Sequence, residues 1–196
     1  MQRQLSRLLV TGAAFAAAAV LAGCATPPPP AEAPRGFTLT SPGRADNEML
    51  ARKHAGKNPN NPNCLGDNVS PALAWTRAPA GTKSYVLLLD DQAGRNGLGV
   101  SHWVAYGIPA DVTGFAEGEA SAPSPKFVGG RNLPGTATWY GPCPPRGNAP
   151  QHYVLTLVAT SLEPTALAPG LTKPQVLEAL QGKALGAASF VFRYAH

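Results

Sequence analysis

Seven residues, Gly141-Pro142-Cys143-Pro144-Pro145-Arg146-Gly147, do most to restrict what this chain can fold into. Three prolines and two glycines exclude a helix or a central strand there. Proline lacks the ladder donor and fixes φ, and glycine opens turn conformations that other residues resist. The segment reads as a stiff, pre-shaped loop that delivers the chain onto Gln151-His152-Tyr153 and the apolar run Val154-Leu155-Thr156-Leu157-Val158. A loop ordered in advance, with its remaining backbone N–H groups displayed, suits an anion. A rigid surface turn is the plainer alternative. Period-2 alternation places Gln151 and Tyr153 on one face of the following strand and His152 on the other.

Two more segments bear on that choice. Ser84-Tyr85-Val86-Leu87-Leu88-Leu89 is a buried-strand run ending in the acidic pair Asp90-Asp91. After a connection rich in glycine (Gly94, Gly97, Gly99), a second strand reads Val100-Ser101-His102-Trp103-Val104-Ala105-Tyr106-Gly107-Ile108 and closes on Pro109. A carboxylate leaving one strand and a histidine entering the next can meet at one rim of a sheet.

Read in order, these segments resemble the phosphatidylethanolamine-binding protein family, in its bacterial branch likened to Raf kinase inhibitor proteins. The matching residues are Cys64, Gly66, Asn68-Val69-Ser70-Pro71, Leu73 and Trp75, then Pro79 with Gly81-Thr82-Lys83-Ser84. They continue with Asp90, His102-Trp103, Ile108-Pro109-Ala110, Gly141-Pro142-Cys143-Pro144-Pro145 and Tyr153. The resemblance runs from about residue 37 to the C-terminus. It implies a mainly β fold, a large antiparallel sheet packed on a smaller one with a few peripheral helices and an anion site at one end. It also implies departures. The family's Asp-Pro-Asp-Ala-Pro stands here as Asp90-Asp91-Gln92-Ala93-Gly94, with both prolines and the second aspartate gone. Gln151 occupies a position where relatives carry a site histidine, in the register that keeps Tyr153 inward; a one-residue slip would restore histidine but turn Tyr153 away.

The N-terminus carries its own signal. Arg3 and Arg7 precede an apolar run from Leu8 to Ala22, too short and alanine-rich for a membrane span but suited to a signal peptide. It ends Leu21-Ala22-Gly23-Cys24, which resembles the bacterial lipoprotein box. On that resemblance residues 1–23 are cleaved, Cys24 is acylated, and Ala25 after it favours the outer membrane. An ordinary secretory signal with an incidental cysteine is the alternative. Residues 24–36 then form a tether, within which Thr26–Pro34 is an extended, Pro-rich spacer on the order of 25 Å long. Residues 37–196 form one domain, which at this size buries a sizeable core.

Charge says little about partners. The chain has 16 basic and 11 acidic residues; the leader takes Arg3 and Arg7, leaving a small excess. Arg52, Lys53 and Lys57 cluster beside His54 in an Asn/Pro-rich stretch that reads as an exposed loop, with no interleaved aromatics of the kind nucleic-acid binding uses. With Cys24 lipidated, Cys64 and Cys143 remain, and an even pair in an exported protein favours a disulfide. It would close a long loop, worth about 4 kcal/mol in the chain-entropy model, and would clamp the Pro-rich loop; two separate buried thiols are the alternative. Metal-ligand spacings are absent from the sequence.

Strands are expected over 37–41, 84–90, 100–108, 152–160 and 187–194. One helix is expected over Lys173–Gly182, with Thr172 as N-cap, Pro174 in the first turn, and Val176, Leu177 and Leu180 on one face. Trp75, Tyr85 and Phe190 are expected in the core. The candidate ligand site comprises Asp90, His102, Gly141, Gln151 and Tyr153. The loop supplies backbone donors, His102 a donor that can carry charge, Asp90 a carboxylate to fix its tautomer, and Gln151 and Tyr153 neutral donors. No cofactor is expected. A hydrolase would need a nucleophile beside a base, but alternation separates Ser101 from His102, and a disulfide would silence Cys143. The sequence therefore reads as a non-catalytic envelope lipoprotein, membrane-bound through Cys24, with a pocket for a small phosphate-like anion. Regulation of another envelope protein, such as a protease, is the alternative.

Overall fold

A computed structural model describes residues 36–196, so the leader, Cys24 and the Pro-rich tether lie outside the described residues. Nine strands follow in chain order: β1 Thr38–Thr40, β2 Glu48–Met49, β3 Leu73–Thr76, β4 Ser84–Asp91, β5 Val100–Pro109, β6 Gly114–Phe115, β7 Val128–Gly129, β8 Gln151–Thr160 and β9 Ala184–Tyr194. Six build a large sheet in the order β2-β9-β8-β4-β5-β7, and three build a small one in the order β1-β3-β6. The two-residue contact of β2 with β9 is parallel, and the other pairings are antiparallel.

β4 lies at the heart of the large sheet, and all 8 of its residues are buried. Its two faces serve two cores. Tyr85, Leu87 and Leu89 point between the sheets and meet Trp75, Leu155, Leu157 and Phe190. Val86 and Leu88 point the other way and join Val104, Tyr106 and Val158. That outer layer is covered by Val176 and Leu180 from the helix Lys173–Ala179 and its C-cap. A strand covered on both faces reads as an unbroken apolar run, which is what Val86–Leu89 shows. Between the sheets, Trp103 packs edge-to-face on Phe115, Phe127 and Trp139 at centroid distances of 5.8, 5.5 and 6.3 Å. Truncating so large a buried ring costs about 3–5 kcal/mol.

The helix begins as anticipated. Thr172 caps it, and its backbone N–H donates to Gln175 Oε1 at 2.9 Å. It ends at Ala179, and Leu177 stays 43% exposed rather than sharing the buried face. Val176 and Leu180 are four residues apart and stack on one stripe, while Leu177 sits about 100° round the axis.

The stretch around His54 is not an open loop. Arg52–His54 forms a 3₁₀ turn, and His54 is fully buried. Its Nδ1 donates to Val69 O at 2.7 Å, and Arg44 Nη2 donates to its Nε2 at 2.7 Å. Burial holds the His54 pKa below the usual histidine value. Lys53 pairs with Glu117 at 2.7 Å and Arg52 Nη1 donates to Leu65 O at 2.8 Å, so two of the apparent surface cations are committed to structure.

Three segments then pack backbone against backbone, which only glycine permits. A Cβ on Gly141 would lie 2.7 Å from Gly56 N, and one on Gly66 would lie 2.6 Å from Arg52 O. Gly56 N donates to Pro142 O at 2.8 Å, and Gly66 N donates to Gly56 O at 2.9 Å. Cys64 and Cys143 are joined in a disulfide across this junction.

Candidate functional site

Register decides which side chains meet. Asp91 at the end of β4 lies opposite Tyr153 on β8 and Val100 on β5. Three neighbouring strands thus present Asp91, His102, and the pair Gln151 and Tyr153 at one end of the large sheet. With Tyr140, Cys143, Pro145 and the Gly94–Asn96 turn they line a cavity of about 490 Å³. Gln151 and Tyr153 are buried and His152 is exposed, as alternation required.

Asp90 is placed differently from its expected role. It occupies the opposite face of β4, where its Oδ2 accepts from Lys173 Nζ at 2.7 Å on the covering helix. Asp91 is the carboxylate that lines the cavity. Counting by twos from Tyr85 through Leu87 and Leu89 leads to Asp91, so the family's Asp-Pro-Asp-Ala-Pro pattern aligns from Asp91. Asp91 Oδ1 accepts from Ala93 N at 2.9 Å and Gly94 N at 3.1 Å, and so shapes the turn that follows. Inside that turn Arg95 and Asn96 hold left-handed backbone, φ 53° and 58°, uncommon for residues with a Cβ.

His102 also differs in detail. Its tautomer is set by a backbone carbonyl, since Nδ1 donates to Tyr140 O at 2.9 Å. The ring stacks on Tyr140 at 5.9 Å and meets the Tyr153 ring edge-on at 5.2 Å. Nε2 has no hydrogen-bond partner among the described residues. With Nδ1 carrying the proton, neutral His102 offers a lone pair at Nε2, and only the protonated ring donates there. Burial pushes the His102 pKa below the usual value, opposed by the Tyr140 carbonyl and the Asp91 carboxylate. Burial, with Asp91 beside it, drives the Tyr153 hydroxyl well above the usual tyrosine range, so it remains a donor. It donates to Gln151 Oε1 at 3.3 Å.

Gly141 supports the site from behind. Its N–H donates to Asn68 Oδ1 at 2.8 Å, and Asn68 Nδ2 donates to Trp139 O at 3.0 Å. Its backbone donor is thereby used within the fold and does not face a ligand. Because Pro142, Pro144 and Pro145 lack an N–H, Cys143 carries the sole backbone donor between Gly141 and Arg146, and Cys143 does line the cavity. Asn58, Asn61, Arg95, Asn96 and Asn148 complete the rim. These rim residues, together with Tyr140, carry no local pattern in sequence that marks them out, whereas Asn68 stands in the Asn68-Val69-Ser70-Pro71 segment of the resemblance. Among the described residues no three His, Cys, Asp or Glu side chains gather as a metal site.

This fold and this cleft define a known class. The family model for phosphatidylethanolamine-binding protein matches residues 40–195. A UPF0098 protein of Aquifex aeolicus is 34% identical over 161 residues, 81% of this chain and 94% of that protein. LppC of Mycobacterium tuberculosis, whose name calls it a lipoprotein, is 34% identical over 170 residues, 85% of this chain and 75% of that one. Among solved structures, Escherichia coli YbcL, described as a new member of the mammalian PEBP family, superposes with a TM-score of 0.72 at 30% identity. That match covers 82% of this chain and 98% of YbcL. The Chlamydia trachomatis homologue CT736 gives a TM-score of 0.69 at 27% identity, with 82% and 98% covered. The chain belongs to the phosphatidylethanolamine-binding protein family.

Proposed function

We propose that this protein is a non-catalytic envelope lipoprotein whose cavity binds a small phosphate-like anion. Residues 1–23 act as its signal, acylated Cys24 holds it in the membrane (the outer membrane is favoured), residues 24–36 form the tether, and residues 37–196 form the binding domain. The observation that carries the reading is His102. It is a buried imidazole whose Nδ1 is occupied by the Tyr140 carbonyl and whose Nε2 has no partner among the described residues. Tyr153, Gln151 and Cys143 line the same cavity. The resting floor is rich in acceptors: Asp91, the Nε2 lone pair and Gln151 Oε1. An anion is therefore taken together with a proton that turns Nε2 into a charged donor. LppC, named a lipoprotein, supports the anchor.

Calorimetry with dimethyl phosphate tests the pocket, because this diester keeps one negative charge across neutral pH. Binding that His102→Ala weakens about tenfold to a hundredfold is expected, the span of a charged hydrogen bond. Equal affinity in the variant would overturn the site. Mass spectrometry of detergent-extracted protein tests the anchor, with an acylated peptide beginning at Cys24 as the expected result.

A further inference from the structure

We propose that the outer side of the Pro-rich wall, around Arg52, Arg146 and Tyr194, is a docking surface for an acidic, extended segment of a partner protein. It is separate from the cavity and does not depend on what the cavity holds: Arg52, Lys57, Arg146, Tyr194 and His196 are all absent from the cavity lining.

Charge is segregated along the chain to make this face. Residues 51–66, 141–152 and 191–196 contain five Lys or Arg and no Asp or Glu. The fold draws the three segments together at the Cys64–Cys143 disulfide. On one side of Cys64, Leu65 O accepts from Arg52 Nη1 at 2.8 Å, and Lys57 pairs with Leu65 across an isolated antiparallel bridge. On the other side, Asn63 O accepts from His196 Nε2 at 2.9 Å. Arg146 stands three residues beyond Cys143 on an exposed stretch of the loop. Tyr194 links these groups, since its ring is buried and meets His196 edge-on at 5.5 Å. Burial pushes the Tyr194 hydroxyl above the usual tyrosine value while Arg52 and Arg146 both pull it down, so both guanidiniums lie within electrostatic reach of it.

These cations lack carboxylates of their own. Lys53 is taken by Glu117, but Arg52, Lys57, Arg146 and Arg193 form no ion pair among the described residues. The acids nearest in sequence are spent elsewhere: Asp46 Oδ1 accepts from Val191 N at 2.7 Å, and Glu48 accepts from Ala45 N at 2.8 Å beside Arg44. Exposed Asp67, just past Leu65, has no cation within ion-pair distance and neutralises none of them. The bond to Leu65 O uses one of the five N–H donors of Arg52 and leaves the others. At the boundary with the cavity, Asn58 and Asn61 spend Oδ1 on Asn60 N and Asn63 N at 2.9 and 3.0 Å, which leaves their Nδ2 groups to donate. A face that mainly donates is complemented by one that mainly accepts, and carboxylates strung along an extended backbone supply that. Exposed Leu65 is the only large aliphatic side chain in residues 51–66, so the acyl boundary of a bilayer is a poorer match. A second copy of the same face would repel it.

The test uses the full chain in an uncharged detergent and fluorescein-labelled decaglutamate, read by anisotropy at about 0.1 M salt, where screening confines each charge to roughly 10 Å. Arg52→Ala and Arg146→Ala are each expected to weaken binding roughly twofold to fivefold, the range of an exposed ion pair. Reversing both, Arg52→Glu with Arg146→Glu, should weaken it by about tenfold or more. Lys183→Glu, the same charge change at the opposite end of β9, should leave it unchanged. Arg146 makes no hydrogen bond or ion pair among the described residues, so Arg146→Glu reads the surface even if the Arg52 variants fail to fold. Absence of decaglutamate binding, an equal loss in Lys183→Glu, or displacement of the peptide by saturating dimethyl phosphate would overturn the proposal, the last by placing the peptide in the cavity. Hydrogen exchange separates protein from lipid. Decaglutamate should slow exchange at residues 57–66, and exchange there should be the same in phosphatidylcholine vesicles as in phosphatidylglycerol vesicles. Slower exchange in phosphatidylglycerol would show that this face rests on anionic lipid, and would equally overturn the proposal.

Discussion

The proposed coupling of anion binding to protonation of His102 makes a quantitative expectation. Nδ1 is spent on the Tyr140 carbonyl, and burial holds the ring's pKa below 6.5. At neutral pH the unliganded ring is therefore neutral and offers Nε2 only as an acceptor. An anion that binds the protonated ring must draw a proton with it. The apparent affinity then falls tenfold, or about 1.36 kcal/mol, for each pH unit above the folded pKa. The Kd for dimethyl phosphate is expected to rise about tenfold between pH 7 and pH 8, and to level off as pH falls below that pKa. Gln151 has no proton to exchange, and Tyr153 is driven further from ionisation, so neither adds a step in this window. Calorimetry in two buffers of different ionisation enthalpy should count close to one proton taken up per ligand at pH 7.5. His102→Gln, a neutral donor, should flatten the profile, and Gln151→His should steepen it. A wild-type affinity unchanged from pH 5 to pH 8, or one that rises with pH, would refute the coupling.

Four further outcomes follow from the same geometry. Asp91→Asn should move the midpoint of the pH profile downward, because it removes a carboxylate that favours the charged ring; Asp90→Asn should cost on the order of 1 kcal/mol or less in urea denaturation through its partly exposed pair with Lys173. The native protein should yield no free thiol at Cys64 or Cys143 until it is reduced, and reduction should remove about 4 kcal/mol, lowering the thermal midpoint by roughly 10 °C; two thiols titrating in the unreduced fold would contradict this. The unliganded fold should weaken as pH drops from about 6.5, since buried His54 and His102 both bind protons more weakly folded than unfolded, and saturating dimethyl phosphate should offset the His102 part; equal urea midpoints at pH 7.5 and 5.5 would count against it.

What the sequence made legible depended on whether the cause was local. β8 could be oriented because one of its faces meets water at His152, so alternation had polar and apolar sides to tell apart. β4 could not, because a core on each face erases that alternation and leaves Asp90 and Asp91 indistinguishable. The difference between them is made by Lys173, far along the chain. β2, β3, β6 and β7, of two to four residues each, form through their neighbours rather than through any period of their own. His54 read as surface because its partners, Arg44 and Val69, give no hint of convergence from their spacing. Gly141 draws notice in the sequence as a ligand residue, but in the fold it packs closely against His54–Gly56 and its N–H is spent on Asn68 rather than displayed.

The junction of Gly56, Gly66 and Gly141 has a consequence for where the protein becomes competent. The long strands and their two cores can assemble from apolar residues wherever the chain is folded. The wall of the cavity is different, since Cys143 belongs both to that wall and to the covalent bond with Cys64. Oxidation therefore completes the cavity, and disulfides persist in oxidising compartments and are rare in the cytosol. A reduced chain would carry the scaffold with its ligand wall unfastened. The disulfide thereby ties the site's final shape to the redox state of the chain's surroundings.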